Sequence, residues 1–399
     1  MRGVMQFDGR RLIQALDARG MTKTSLCNLI NYSSGTVSKW TNGQQYPESI
    51  AVQKISDALQ IPESWFLKPS LNFGSEVSFF RSNASTTQIY RKKAISHLQM
   101  TYECNLELEN WIDYPTVFYP RILTREEGLS LDFAEIENIA NFYRDQWKLG
   151  RGPIKNLIKV LENVGTIIVK EQLGSTNMDG VSKWFFDRPY ILISSDKASA
   201  CRNRFDVAHE LAHLILHKNL TLEDYELGYK RIEDEAHYFA SCFLCPSESV
   251  SFDLYRSTLD SLVLVKQKWK VSIGALIMRG KALDIISEEY AERLWRNYSY
   301  RKWRQREPLD DSIEQEAPSL LSKSIKLLID EKVFTKQILK NDLSLYDHDI
   351  EVLCGLPKGY MSESFGTLVQ LKDHIRNNTK KIEYLDSDNK IIKMNRTKL

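Results

Sequence analysis

The chain has 399 residues, of which 42% are hydrophobic and 27% charged, and its formal net charge is +2. This length and composition predict a globular protein of roughly two to four domains and exclude a low-complexity chain. The sequence shows no apolar run of about 18 residues and no apolar signal segment at its start, and its six cysteines are scattered. We therefore expect a cytoplasmic protein without membrane contact, in which any nucleic-acid binding depends on a local surface.

Residues 1–69 contain short apolar patterns at helical spacing, separated by turn residues. Gly20 is a typical residue after a helix end, and Thr22 is a typical cap for the helix that follows. The spacing predicts five helices, over residues 8–19, 22–30, 34–40, 49–59 and 63–67. These residues are expected to form a compact N-terminal five-helix domain.

The third of these helices buries Val37 and Trp40 and presents small hydroxyl groups outward, with one lysine and two nearby glutamines. Such side chains suit contacts in the major groove of DNA. The candidate DNA-contacting residues are Ser34, Thr36, Ser38, Lys39, Gln44 and Gln45. The segment resembles the helix-turn-helix domain of XRE-type and phage-repressor-like regulators. That resemblance implies that residues 1–69 bind double-stranded DNA and that the protein forms a homodimer.

Residues 70–131 are predicted to be a linker and helical connector, with a helix over about residues 90–110. Helices follow over residues 132–149 and 154–163, and strands over residues 166–169 and 190–194. The apolar stretches at 184–186 and 190–193 suggest an edge strand on which an extended peptide docks, with an ordinary core hairpin as the alternative.

The stretch His209-Glu210-Leu211-Ala212-His213 lies within residues 204–217, where apolar residues recur at helical spacing. On a helix, two histidines four residues apart can reach one metal ion, and the carboxylate beside the first can act as a base. This HExxH pattern predicts one Zn²⁺ ion held by His209 and His213, with Glu210 as the catalytic base of a zinc-dependent endopeptidase.

A third zinc ligand is expected from the next helix, over residues 231–240. Glu235 is the predicted ligand because it shares a face with apolar residues that pack inward, and a carboxylate on such a face needs a cation. Glu233 and His237 remain alternatives. His217, one turn beyond His213, is a candidate for orienting a ligand or stabilising an oxyanion, and His237 is a second candidate for that role.

Residues 262–287 repeat the helix, tight turn and helix pattern, with Arg279 and Lys281 predicted to point outward. We expect this second helix-turn-helix-like unit to close the core of a domain over residues 132–306, with a second DNA reader as the alternative. Residues 307–312 are predicted to be a linker to a helical C-terminal region, 307–399, that is frayed from Asn377 onward.

The combination of these features resembles the ImmA/IrrE family of metallopeptidases fused to an XRE-type domain. Further matching stretches are residues 79–82, 144–150, 235–240 with Pro246, 269–272 and 307–308. The resemblance implies a gluzincin-like zinc peptidase with His209, His213 and Glu235 as ligands and Glu210 as base. His237 stands where the family often has asparagine.

The predicted fold is mostly α with a small β-sheet, in the α+β class. The predicted protein is a DNA-binding transcriptional regulator whose peptidase cleaves a specific regulatory protein, such as a repressor or antitoxin-like partner. By the resemblance, cleavage belongs to a stress or mobile-element response. The alternatives are a regulator whose zinc fold is structural or senses a signal, and a regulator that cleaves its own chain between about residues 68 and 87.

Overall fold

The structure is a computed structural model that describes residues 3–73, 79–82, 88–174, 178–196, 199–362, 383–385 and 391–393. Its helices are α1 (Gly9–Ala18), α2 (Lys23–Ile30), α3 (Ser34–Thr41), α4 (Ser49–Leu59), α5 (Glu63–Leu67), α6 (Gln88–Glu109), α7 (Arg125–Leu129), α8 (Phe133–Gln146), α9 (Leu157–Asn163), α10 (Ala200–Leu216), α11 (Leu222–Leu244), α12 (Ser247–Leu254), α13 (Leu259–Trp269), α14 (Ile273–Ala282), α15 (Glu288–Tyr300), α16 (Leu320–Asp330), α17 (Lys336–Leu343) and α18 (Asp347–Leu353). Its strands are β1 (Phe79–Ser82), β2 (Ile167–Glu171), β3 (Met178–Phe185), β4 (Arg188–Ser194), β5 (Glu383–Leu385) and β6 (Ile391–Lys393). The predicted α+β class is confirmed.

The chain divides into two compact units. Unit 1 comprises Met1–Phe73, Thr87–Thr116 and Ser319–Leu399, and unit 2 comprises Gly74–Thr86 and Val117–Pro318. Unit 2 continues past the predicted boundary at residue 306 because Glu316 is anchored in it. The Glu316 carboxylate accepts hydrogen bonds from the backbone N–H of Leu157 (2.7 Å) and of Ile158 (3.0 Å) and forms an ion pair with Arg204.

Side-chain caps define the first helices of unit 1. Asp8 accepts a 2.9 Å hydrogen bond from the Arg10 N–H at the start of α1, and Ser33 accepts one of 3.1 Å from the Thr36 N–H at the start of α3. Asn31 ends α2 in the left-handed conformation, with φ of 59°, and so produces the tight turn between α2 and α3. All five helices predicted for this segment are confirmed.

Unit 1 also contains α6 and the C-terminal helices. Arg11 forms a 2.6 Å ion pair with Glu103 of α6, and Arg19 forms one of 2.8 Å with Asp349 of α18. The C-terminal helices pack on α6. Of the C-terminal end predicted to be frayed from Asn377, all but β5 and β6 lies outside the described residues.

Unit 2 is built around a four-stranded sheet in the order β1-β3-β4-β2. Strands β3 and β4 form an antiparallel hairpin, β2 runs parallel to β4, and β1 pairs antiparallel with β3. The apolar stretch at 190–193 lies in β4, which is paired on both sides, so it is not an edge strand. The stretch at 184–186 includes the end of β3, which pairs with β4 beyond the point where the β1 pairing stops at Ser182. The two stretches therefore belong to one hairpin, as the alternative prediction had it. Segment 79–82 is the strand that occupies the edge next to β3.

Helices α13 and α14 form the predicted second helix-turn-helix-like unit, and α15 follows them. The Arg279 side chain is 1% exposed, so the prediction that it points outward is wrong. Its guanidinium donates to the Cys245 carbonyl oxygen (3.0 Å) and to the Glu137 carboxylate (2.6 Å). Helix α14 is therefore anchored in the core of unit 2 by the buried guanidinium of Arg279.

Glu307 is a buried carboxylate at the start of the predicted linker. It accepts hydrogen bonds from the backbone N–H of Ile273 (2.9 Å) and of Gly274 (3.1 Å), from the Lys266 ammonium (2.8 Å) and from the Tyr298 hydroxyl (2.7 Å). These bonds cap α14 and join it to α13 and α15. The segment that begins at Glu307 is therefore packed into unit 2 and holds its helices α13, α14 and α15 together.

Within the described parts of the chain, every helix is either too short or too polar to cross a lipid bilayer.

Replacing Glu307 by Leu is expected to lower the free energy of unfolding by about 3–5 kcal/mol. It removes one of the two carboxylates that pair with the buried Lys266, and it leaves the N–H groups that cap α14 and the Tyr298 hydroxyl without their acceptor. Urea denaturation measures the loss. The control is Asp311→Asn, at an ion pair with Arg306 whose side chains are 72% and 69% exposed. This control should change stability by less than about 1 kcal/mol. Equal effects from both substitutions would contradict the role of Glu307.

Candidate metal centre

Helix α10 carries the HExxH residues on a fully buried segment. His209, Glu210 and His213 are each 0% exposed, and their apolar neighbours Leu211 and Ala212 belong to the core of unit 2. The spacing of four residues brings the Nε2 atoms of the two histidines to 3.0 Å from each other. The structure therefore brings both predicted imidazole ligands together.

Helix α11 supplies a carboxylate to the same place, and that carboxylate is Glu233. Its Oε2 lies 3.3 Å from the His209 Nε2, and its Oε1 lies 3.6 Å from the His213 Nε2. The remaining alternative, His237, also lies here: donor atoms of His209, Glu233 and His237 fall within 4.8 Å of one another. The geometry thus favours Glu233 over Glu235 as the third donor.

The donor atoms have the chemistry and spacing that zinc requires. In a tetrahedral site with Zn–N and Zn–O distances of about 2.0–2.1 Å, neighbouring ligand atoms lie about 3.3 Å apart. The observed separations of 3.0, 3.3 and 3.6 Å bracket that value. Two imidazoles and one carboxylate therefore fit a zinc ion with one position left open.

Glu235, the ligand predicted from the sequence, has other partners. Its Oε2 lies 3.0 Å from the His217 Nε2, and its Oε1 accepts a 2.6 Å hydrogen bond from the Arg231 guanidinium. Glu235 thus lies on the inward face of α11, as predicted. Its carboxylate, however, is already bonded by the Arg231 guanidinium and the His217 imidazole. The second carboxylate of the helix, Glu233, faces the histidine pair instead.

His217 connects Glu235 to His213. The Nδ1 atoms of His217 and His213 lie 2.9 Å apart, and burial lowers the pKa of His217 although the Glu235 carboxylate opposes that shift. If the His213 Nε2 faces a metal, one set of tautomers satisfies the chain: the His213 Nδ1–H donates to His217, and the His217 Nε2–H donates to Glu235. Arg231, Glu235 and His217 then fix the ring plane of His213.

His237 is exposed at the edge of this cluster. Its Nδ1 lies 2.7 Å from the Glu233 carbonyl oxygen, and its ring centroid lies 4.5 Å from that of His209. The backbone contact thus holds the imidazole beside the cluster.

Glu210 is packed against the sheet at Gly180 of β3. A Cβ atom added at Gly180 would lie only 2.9 Å from the Glu210 Oε1 and 3.2 Å from the Leu192 carbonyl oxygen. Any side chain at this position would displace the carboxylate. The sequence analysis missed Gly180, although a glycine inside a strand often marks such a close approach.

The residues predicted to contact DNA lie on unit 1. Ser34, Lys39, Gln44 and Gln45 are exposed, and Ser38 and Thr36 are half-buried. The Thr36 hydroxyl lies 2.9 Å from that of Ser33 and so takes part in capping α3. Helix α3 therefore presents a polar face beside the buried Val37 and Trp40.

Comparison with known families identifies both parts of the chain. Residues 161–281 match the Peptidase_M78 family model, described as an IrrE N-terminal-like domain, and residues 12–66 match a helix-turn-helix family model. No curated protein matches the chain. The predicted resemblance is confirmed to this extent: a helix-turn-helix match is followed by an IrrE N-terminal-like peptidase match, in the order of the predicted fusion.

Two substitutions on α11 distinguish the two carboxylates. Glu233→Gln is expected to weaken zinc binding more than Glu235→Gln, because only the first removes a donor atom from the cluster. Loss of a group that orients a ligand typically costs about 10- to 100-fold in metal affinity, which is the range expected for Glu235→Gln. Competition with a fluorescent chelator measures both dissociation constants.

The control on the same helix is Glu226→Gln, at an exposed position. It should leave the zinc dissociation constant unchanged. The reverse order, with Glu235→Gln the more damaging, would restore Glu235 as the ligand.

Proposed function

We propose that this protein is a cytoplasmic DNA-binding transcriptional regulator carrying a zinc-dependent endopeptidase. The observation that carries the proposal is the convergence of His209, His213 and Glu233 beside the buried Glu210, within a region that matches a peptidase family. A structural zinc site needs no buried carboxylate beside its ligands, whereas a peptidase needs a base there.

In the proposed reaction His209, His213 and Glu233 hold one Zn²⁺. When bound, the ion supplies Lewis acidity to a water molecule and to the scissile carbonyl. The Glu210 carboxylate takes a proton from the attacking water and delivers it to the leaving amine nitrogen. His237 borders the cluster, and its Nδ1–H is directed at the Glu233 carbonyl oxygen. In the proposed reaction it acts as the imidazolium, whose Nε2–H stabilises the charge that develops on the scissile carbonyl oxygen.

The groups behind His213 are proposed to position it. The His213 Nδ1–H donates to the His217 Nδ1, and the His217 Nε2–H donates to the Glu235 carboxylate, which Arg231 keeps in place. This arrangement extends the usual carboxylate–histidine pair behind a metal ligand by one imidazole. It leaves His213 with its Nε2 lone pair directed at the ion.

The substrate is proposed to be a specific regulatory protein, such as a repressor or antitoxin-like partner, cleaved in a stress or mobile-element response. The helix-turn-helix domain supports this proposal because it gives the peptidase a place at a promoter. A narrow specificity is expected, since broad proteolysis in the cell would be harmful.

A self-cleaving regulator is the second candidate, and one observation favours it. Strand β1 comes from the segment between the helix-turn-helix domain and the rest of the chain, and its Arg81 pairs with Gly180. Gly180 is the residue that borders Glu210. Part of the interval between residues 68 and 87 therefore follows the sheet edge beside the proposed base.

Replacing Glu210 by Gln tests the peptidase directly. The variant should bind zinc as the wild type does, because no proposed ligand is changed, and should lose about 10²- to 10⁴-fold in cleavage rate. The measurement compares newly formed N-termini by mass spectrometry after each protein is added to lysate of stressed host cells.

Cleavage of one or a few host proteins by the wild type alone supports the proposed peptidase. Cleavage of the chain itself between residues 68 and 87 supports the self-cleaving regulator. If zinc is bound and neither protein produces new N-termini, the peptidase proposal fails and the zinc fold is structural or signal-sensing.

The DNA-binding part is tested by Lys39→Ala. Removing one phosphate-contacting cation should weaken binding to a duplex selected from a random-sequence pool and reduce the slope of log affinity against log salt by about 1. Fluorescence anisotropy over a series of salt concentrations measures both effects. Lys323→Ala on α16 is the control, and an unchanged slope for Lys39→Ala would remove α3 from the interface.

The residues proposed to contact bases or phosphates are Ser34, Thr36, Ser38, Lys39, Gln44 and Gln45. Binding as a homodimer to paired half-sites is proposed from the same family resemblance.

A further inference from the structure

A cavity of about 550 Å³ lies in unit 2 beside the candidate metal centre. His237 belongs both to the metal-capable cluster and to the lining of this cavity. Asp206 and Arg202 also line it, and they lie three and seven residues before His209, on the same side of α10. The cavity therefore begins at the cluster and continues along α10 toward the N-terminus of that helix.

The walls of the cavity are mostly apolar and rich in aromatic rings. Phe205 and Tyr238 come from α10 and α11, whereas Met278 and Trp295 come from α14 and α15. Small residues on α14, among them Ala275, leave the space open. Helix α14, the second helix of the helix-turn-helix-like unit, thus forms part of the cavity wall. This agrees with a structural role for that unit.

The charge of the lining is negative. Among the lining residues that the structure describes, the carboxylates are those of Asp179, Asp206, Asp234 and Glu307, and the one guanidinium is that of Arg202. Glu307 is engaged by the Lys266 ammonium and by the Tyr298 hydroxyl. Asp234 is exposed, and its carboxylate favours a positively charged occupant.

A bound Zn²⁺ ion does not reverse this preference. Its charge is matched by two carboxylates of its own, Glu233 and Glu210, which are not among the lining residues. An occupant of the cavity therefore meets both aromatic faces and aspartates.

We propose that this cavity binds a basic side chain, arginine or lysine, of the peptide substrate next to the scissile bond. The inference rests on the proposed peptidase function and names the class of residue that it selects. The aliphatic stem of the side chain packs on the aromatic walls, and a guanidinium can stack on those rings and bond a carboxylate at the same time. The cavity is also large enough for an aromatic side chain, which the test distinguishes.

The test uses the zinc-loaded full-length protein and N-acetyl amino acid hydroxamates of glycine, arginine, leucine and phenylalanine. Each hydroxamate can bind the metal and places one side chain beside it. Isothermal titration calorimetry gives the dissociation constants. We expect the arginine compound to bind about tenfold more tightly than the leucine compound, as one charge-assisted contact provides.

Asp234→Asn should reduce this arginine preference severalfold and leave glycine binding unchanged. Asp234 is exposed, so the substitution should not disturb folding. The matched control is Asp187→Asn, which removes an exposed carboxylate of unit 2 that does not line the cavity. Ala275→Phe, which fills the cavity, should weaken the arginine compound and spare the glycine compound.

The outcomes separate the subsite from the metal centre. If the glycine hydroxamate does not bind, the metal centre itself is overturned, and with it the proposed peptidase. Suppose that the glycine hydroxamate binds but the arginine hydroxamate binds no more tightly than the leucine hydroxamate. The preference for a basic side chain is then overturned, while the metal centre stands. The same holds if the phenylalanine hydroxamate binds most tightly.

Discussion

The packing of α10 against α11 is the constraint on which unit 2 depends. It places two fully buried imidazoles and the half-buried Glu233 carboxylate within 3.6 Å of one another. Such a group of polar atoms is costly to bury unless a cation or a hydrogen-bonded chain compensates it. The chain running from His213 to Arg231 supplies part of that compensation. In the proposed zinc site, the bound ion would supply the rest, which would couple metal binding to folding.

Local signals predicted much of the fold. The caps at Asp8 and Ser33 and the left-handed residue Asn31 act within a few residues of chain, so the boundaries of the first five helices follow from the sequence. The HExxH spacing is also local and located His209 and His213. The choice between Glu233 and Glu235 is not local. These residues are two positions apart and face different sides of α11, and the rotation of that helix against α10 decides which one meets the histidines.

Long-range pairing explains the other differences. Strand β1 was not predicted as a strand, and it pairs with β3 between Met178 and Ser182. Arg279 looked like an exposed charge because its partners, Glu137 and the Cys245 carbonyl, come from other helices. The same is true of Glu307, whose partners lie as far as 41 residues earlier. None of these contacts has a signature in the neighbouring sequence.

Unit 1 is assembled from segments on both sides of unit 2. A backbone cut between residues 73 and 79 would leave the first five helices attached to the remainder by noncovalent contacts, among them the ion pairs of Arg11 with Glu103 and of Arg19 with Asp349. The nicked protein would behave as a fragment-complementation complex, intact under native conditions and separated by denaturants. Such a cut would weaken the attachment of the helix-turn-helix domain to the rest of the chain, but it would not release that domain at once.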